Sequence, residues 1–152
     1  NFAIQLLIDL LSAKFVDKIG YRTSVIIAHA CSAAGLILLT ILPEVFPSAF
    51  AGIVVSVAIY AIGGGLIEVL ISPIVESCPT DNKEKAMSLL HSFYCWGHMG
   101  VVLISTAFFA LFGIENWKIL ALIWAIIPIN NVFFSAFQIF NTYIFKFHCF
   151  SP

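Results

Sequence analysis

Glu68 is the residue whose chemistry stands out first, because it is the one charged side chain in an apolar run from 49 to 75. A carboxylate at the centre of a membrane span costs at least about 2.5–3.5 kcal/mol on insertion scales. Such groups face a bundle interior or a water-filled cavity and often belong to a proton or ion pathway. On a helix, Tyr60, Ala61, Gly64, Gly65 and Ser72 share the face of Glu68 by three- and four-residue spacing. Small residues there permit either close helix packing or room for a ligand, and the competing role for Glu68 is a structural bond to a neighbouring helix. His91, Cys95 and His98 also fall on one helical face, at intervals of four and three. Two imidazoles with no carboxylate on their helix make a poor metal site, so no metal or other cofactor is expected. His91 reads instead as a hydrogen-bond or proton partner in a cavity, since imidazole changes charge around neutral pH. His29 reads as a satisfied packing residue. Asn130 and Asn131 lie mid-run beside Pro128, which frees a backbone carbonyl, and at least one of them should face the bundle. Asn1, Gln5 and Asp9 line up at four-residue spacing, either bordering the same cavity or lying near a water-exposed helix end.

Membrane-spanning helices are the elements that must position these groups. The 152 residues are 61% hydrophobic and 10% charged, with a mean hydropathy of +1.05, against about 45–50% apolar and about 25% charged in soluble domains. No water-soluble fold of this size buries that much apolar surface. Lipid covers it without cost, while helices satisfy their own backbone polar groups. The expected class is therefore all-α, a polytopic helical bundle in the cell membrane with the lipid bilayer as its first partner. A net charge of -1 with seven Lys and Arg leaves no basic stripe for nucleic acid. Cys31, Cys78, Cys95 and Cys149 lack the paired spacing of a zinc site or disulfide framework and read as small packing residues.

Five apolar stretches approach or exceed the about 20 residues that cross a bilayer: 1–13, which is partial, then 24–42, 49–75, 86–113 and 119–145. Pro43 is expected to stop the second of them. The connections 43–48, 76–85 and 114–118 are short and rich in turn-forming and charged residues, so sequential helices should be antiparallel neighbours. Lys14, Lys18, Arg22, Lys83, Lys85 and Lys146 collect at one end of these spans, and only Lys118 at the other. The positive-inside rule then puts 14–23, 76–85 and the C-terminus in the cytoplasm, with Asn1, Glu44 and Glu115 outside. A chain that starts outside with no basic leader is expected to have at least one further helix upstream.

The run Ala13-Lys14-Phe15-Val16-Asp17-Lys18-Ile19-Gly20-Tyr21-Arg22 resembles the signature between the second and third helices of the major facilitator superfamily, a G-x-L-x-D-R-x-G-R-R type loop. Asp17, Gly20 and Arg22 match, Lys18 fills a basic position, and Ala13 and Tyr21 depart. Gly20 suits a tight turn, while Asp17 and Arg22 can pair with each other or with helix termini. A polar turn that only carries topology charges is the plainer reading. Gly63-Gly64-Gly65-Leu66-Ile67-Glu68 with Ser72-Pro73 is similar to the fourth helix of the fucose permease group of sugar:proton symporters. The run Met87-Ser88-Leu89-Leu90-His91-Ser92-Phe93-Tyr94-Cys95-Trp96-Gly97 is similar to the fifth, with His91 where Gln is usual and Trp96 where Phe is.

The resemblance covers residues 1 to about 145 and implies helices two to six of a twelve-helix transporter, in the N-terminal half of its fold. It implies a membrane carboxylate at Glu68, with His91, Tyr94, Asn130 and Gln5 as further candidates for substrate or proton binding, and residence in a cytoplasmic membrane such as a bacterium's. The expected function is secondary active transport by alternating access, proton-coupled uptake of a small solute such as a sugar, with protons and the remaining helices of the same protein as partners and no catalytic residues. A non-catalytic membrane scaffold subunit is the main alternative. A metal-dependent membrane enzyme using His91, His98 and Glu68 is the other. With one cysteine at position 81 in a cysteine-free background, a membrane-impermeant thiol reagent should leave intact cells unlabelled and react once they are opened; labelling from outside would reverse the orientation.

Overall fold

The computed structural model describes residues 6–8, 11, 16, 18–77, 79 and 81–149, with side chains as far as Gln138. Four helices account for nearly all of it: α1 Tyr21–Val45, α2 Ala49–Ser77, α3 Lys83–Phe112 and α4 Trp117–Cys149, the last preceded by a 3-10 turn, Ile114–Asn116. No strand occurs among the described residues. All four helices are long and apolar enough to cross a membrane, as the composition requires of a multi-pass protein. The partial first stretch, with Asn1, Gln5 and Asp9, lies outside the described residues apart from Leu6, Leu7, Ile8 and Leu11.

The helices run further than the apolar stretches that announce them. Pro43 does not stop α1 at once but sits inside its last turn, and the helix closes two residues later at Val45, with the Phe46 amide donating to the Leu42 carbonyl at 3.0 Å. Pro43 has no N–H to give the Leu39 carbonyl four residues back, and with only two helical residues after it there is little helix left to disrupt. Pro73 and Pro128 are likewise inside α2 and α4. The connections shrink to match, with only Phe46, Pro47 and Ser48 joining α1 to α2.

Packing is uneven. α1 holds α2 on one side and α4 on another, whereas α3 touches its neighbours sparingly and has no buried residue. The α1–α2 contact is made of small residues at close range. On α2, Gly52, Ser56 and Gly63 are buried, and on α1 so are Ala28, Ser32 and Gly35. A Cβ added at Gly35 would lie 2.5 Å from the backbone nitrogen of Tyr60, and one at Gly52 would lie 2.5 Å from the Leu42 carbonyl oxygen. At Gly63 it would lie 2.5 Å from the Ala28 carbonyl oxygen and overlap Ser32. The pairs 28 with 63, 35 with 60 and 42 with 52 run in opposite order along the two helices, so the hairpin is antiparallel. Small residues of this kind let helix backbones meet in lipid, where apolar side chains gain nothing by leaving one another's solvent. Two buried hydroxyls bond to carbonyls four residues back, Ser56 donating to that of Gly52 at 2.8 Å and Ser24 to that of Gly20 at 3.0 Å.

Glu44 at the end of α1 and Lys118 at the start of α4 form an ion pair, so the two termini lie at the same end of the bundle. The pair is well exposed and contributes at most about 1 kcal/mol. It also matches the one basic residue on the sparsely basic side with an acid. Gly63→Ala should lower the melting temperature of the purified protein, at a cost of about 1–3 kcal/mol for overpacking. Gly64→Ala, where an added Cβ meets nothing within 4 Å, should leave it unchanged or raise it. Equal melting of the two variants would remove the close contact as the source of hairpin stability.

Candidate functional site

Glu68 lies five residues past Gly63, about 140° further round α2 at 100° per residue. The glycine contact that fixes Gly63 against α1 therefore turns the carboxylate away from α1. Its axial position is also set: five residues beyond the midpoint of Ala49–Ser77 is about 7.5 Å at 1.5 Å per residue, still within the middle part of the span. The small residues on its face divide. Ala61 and Gly65 are buried, while Gly64 opens on free space. Close packing and open room thus occur side by side on one face, through alternate small residues.

Glu68 is exposed in this arrangement and makes an interaction within the protein. Across the gap stands α3, which presents Tyr94 within electrostatic reach of Glu68 and of Tyr60. The Tyr94 ring also meets that of His98, with centroids 5.1 Å apart and planes inclined at 42°. One turn before Tyr94, on the same side of the helix, comes His91. Tyr60, Glu68, Tyr94 and His98 thus form one cluster spanning α2 and α3, with His91 at its edge. A carboxylate among phenols and imidazoles can accept hydrogen bonds, hold a proton and bind hydroxyl-bearing or cationic groups.

Further along the same stripe of α3, seven residues after His98, Ser105 accepts a hydrogen bond from the Trp124 indole of α4 at 3.2 Å. Neither residue was singled out from the sequence. The signal was present in the seven-residue repeat of polar groups at 91, 98 and 105, and in the need of any mid-span indole N–H for an acceptor.

The remaining candidates divide. Asn130 and Asn131 are both exposed, so neither faces the described bundle; Asn130 instead donates its amide to the Ile126 carbonyl of its own helix at 2.9 Å. Cys95 is exposed rather than a packing residue, because α3 stands clear of its neighbours, while Cys31 is half-buried. His29 is half-buried, and its Nδ1–H donates to the Val25 carbonyl at 2.9 Å. Among the described residues no three His, Cys, Asp or Glu side chains converge as a metal ion would need.

The signature loop is described in part. Asp17 and Gln5 lie outside the described residues, while Lys18 and Arg22 are exposed at the start of α1. Gly20 has φ +87° and ψ 147°, a region open in practice only to glycine. Its amide donates to the Val16 carbonyl at 2.8 Å, and its own carbonyl accepts from the Ser24 amide at 3.1 Å and the Ser24 hydroxyl. The residue therefore joins two hydrogen-bonded turns. Comparison of the chain with protein families, with characterised proteins and with solved structures returned no match.

Gly20→Ala should lower stability by roughly 1–3 kcal/mol, the usual cost of a strained backbone conformation. Among the described residues nothing lies within 4 Å of a Cβ added there, so the variant reports on the backbone conformation. Chemical denaturation of the purified protein measures it, and an unchanged midpoint would mean that the turn relaxes freely to negative φ.

Proposed function

We propose that this chain is part of a proton-coupled secondary transporter of a small solute, with Glu68 as the group that takes up and releases the coupling proton. The observation that supports this reading best is the placement of a carboxylate in the middle of a membrane helix, turned toward space lined by Tyr60 and Tyr94 rather than into packed protein. A carboxylate kept only for structure would be enclosed by packed protein; one that must meet water, proton and solute in turn needs an open approach. Tyr94 and Tyr60 orient the carboxylate, and His91, a turn away, tunes the charge of the cluster.

The uneven packing fits alternating access, in which helices move about a site near the middle of the membrane. α1, α2 and α4 supply a frame, and α3 adjoins it with little to break. The polar stripe of α3 requires water or further protein against it in a bilayer, which agrees with additional helices completing the cavity. The resemblance of the 63–73 and 87–97 runs to sugar:proton symporters points to a sugar as the solute.

In the full-length product of the gene, reconstituted in vesicles, Glu68→Gln should abolish proton movement on addition of solute, while leaving solute binding or exchange partly intact. The amide keeps the shape and most hydrogen bonds but cannot release a proton. Undiminished proton movement at equal abundance would leave Glu68 a structural carboxylate.

A further inference from the structure

Where α1 begins and α2 ends, on the side where α4 packs against α1, the three helices line a cleft of about 440 Å³. Its polar lining is Tyr21, Arg22, Ser77, Ser135 and Gln138, and Val25 and Ile74 contribute apolar surface. The cleft opens at the end of the bundle where Lys18, Arg22, Lys83 and Lys85 collect, the cytoplasmic end by charge placement. It is separate from the Glu68 cluster and shares no residue with it.

The lining restricts what can fill it. Among the described residues that line it Arg22 is the one charged side chain, so the ligand presents an anion. Arg22 already makes an interaction within the protein, and the five N–H donors of its guanidinium are enough to keep a partner and still grip two oxygens of a phosphate. Val25 and Ile74 require an apolar portion beside the anion, which a free soluble phosphate lacks. Ser77 adds a finer constraint. Its hydroxyl donates to the Ile74 carbonyl at 2.8 Å, so its oxygen is left with acceptor capacity and suits a ligand that carries a hydroxyl of its own. Tyr21, an amphipathic ring at the same level, is the kind of residue that settles among headgroups.

We infer that this cleft is a headgroup site for an anionic, hydroxyl-bearing phospholipid of the inner leaflet, with phosphatidylglycerol the chemistry that fits. Arg22 holds the phosphate, Ser77, Ser135 and Gln138 address the glycerol hydroxyls, and Val25 and Ile74 receive the root of the acyl chains. The lipid ties α4 to the α1–α2 hairpin at the end opposite the Glu44–Lys118 pair. The inference does not depend on a transport function and stands or falls apart from it.

The test uses the whole chain in detergent micelles, titrated with phosphatidylglycerol, phosphatidylcholine or inorganic phosphate, with lipid retention read by native mass spectrometry and stability by thermal melting. Phosphatidylglycerol should be retained and should raise the melting temperature, while the other two should do neither. R22Q should weaken retention about five-fold, the factor that corresponds to about 1 kcal/mol per basic residue at an anionic surface. R22K should keep most of it. Ser135→Trp fills the cleft without touching the charge and should lose the lipid as well, so the result does not hang on one variant's folding. Equal retention of phosphatidylcholine, or unchanged retention in both R22Q and Ser135→Trp, would overturn the site. Binding of inorganic phosphate alone at comparable strength would reassign it to a soluble phosphate ligand.

Discussion

Lipid gives two apolar helices no reason to associate, so α1 and α2 hold together by what only close approach provides, the dispersion contact of backbone against backbone at Gly35, Gly52 and Gly63. The angular position of every other group on α2 follows from that contact. With Gly63 held against Ala28 and Ser32, Glu68 has to emerge on the far side, toward α3, and Gly64 has to open the space beside it. A bulkier residue at any of the three glycines would push the helices apart and rotate or lift the carboxylate together with them. The charged centre of the molecule is placed by residues that carry no chemistry.

Much of this was legible in the sequence. Apolar runs and short polar connections marked α1 to α4, because in a bilayer the length of a span is fixed by its solvent. Their ends were less legible. Helices continue past the apolar runs into polar residues such as Lys83 and Lys85, and Pro43 lies within α1, which ends two residues later at Val45. The significance of Glu68 was visible in its isolation. Its partners were not, because which helix faces which depends on three-dimensional packing that short loops leave open. Asn130 shows the same limit: a mid-span amide needs a partner, and the sequence alone does not say whether the partner is another helix or, as here, the Ile126 carbonyl one turn back.

The four helices divide into a frame and an attachment. α1, α2 and α4 share the buried residues, whereas α3 is linked to the rest by the Trp124–Ser105 hydrogen bond, by electrostatic interaction at Tyr94 and by its connections. Gly113, at φ +79°, forms the joint between α3 and the 3-10 turn. The side of α3 that approaches the frame carries Tyr94, His98 and Ser105, and the opposite side carries Leu89, Phe93 and Leu111, suited to lipid. Separation along this line exposes polar groups to a polar gap and leaves the small-residue contact intact, so the least stable boundary in the molecule coincides with its titratable cluster.

That α4 packs on α1, past the helix made between them, has a consequence for how the protein is made. At about 5–20 residues per second, the 61 residues from Ser77 to Gln138 take roughly 3–12 s to emerge from the ribosome. Throughout that interval the α1–α2 hairpin exists in the membrane with the surface that will receive α4 still bathed in lipid, and α3 reaches the bilayer first. A tightly binding α3 would occupy that surface and shut α4 out. The weak attachment of α3 therefore keeps the docking place open during synthesis, so the order in which helices are born need not become the order in which they pack.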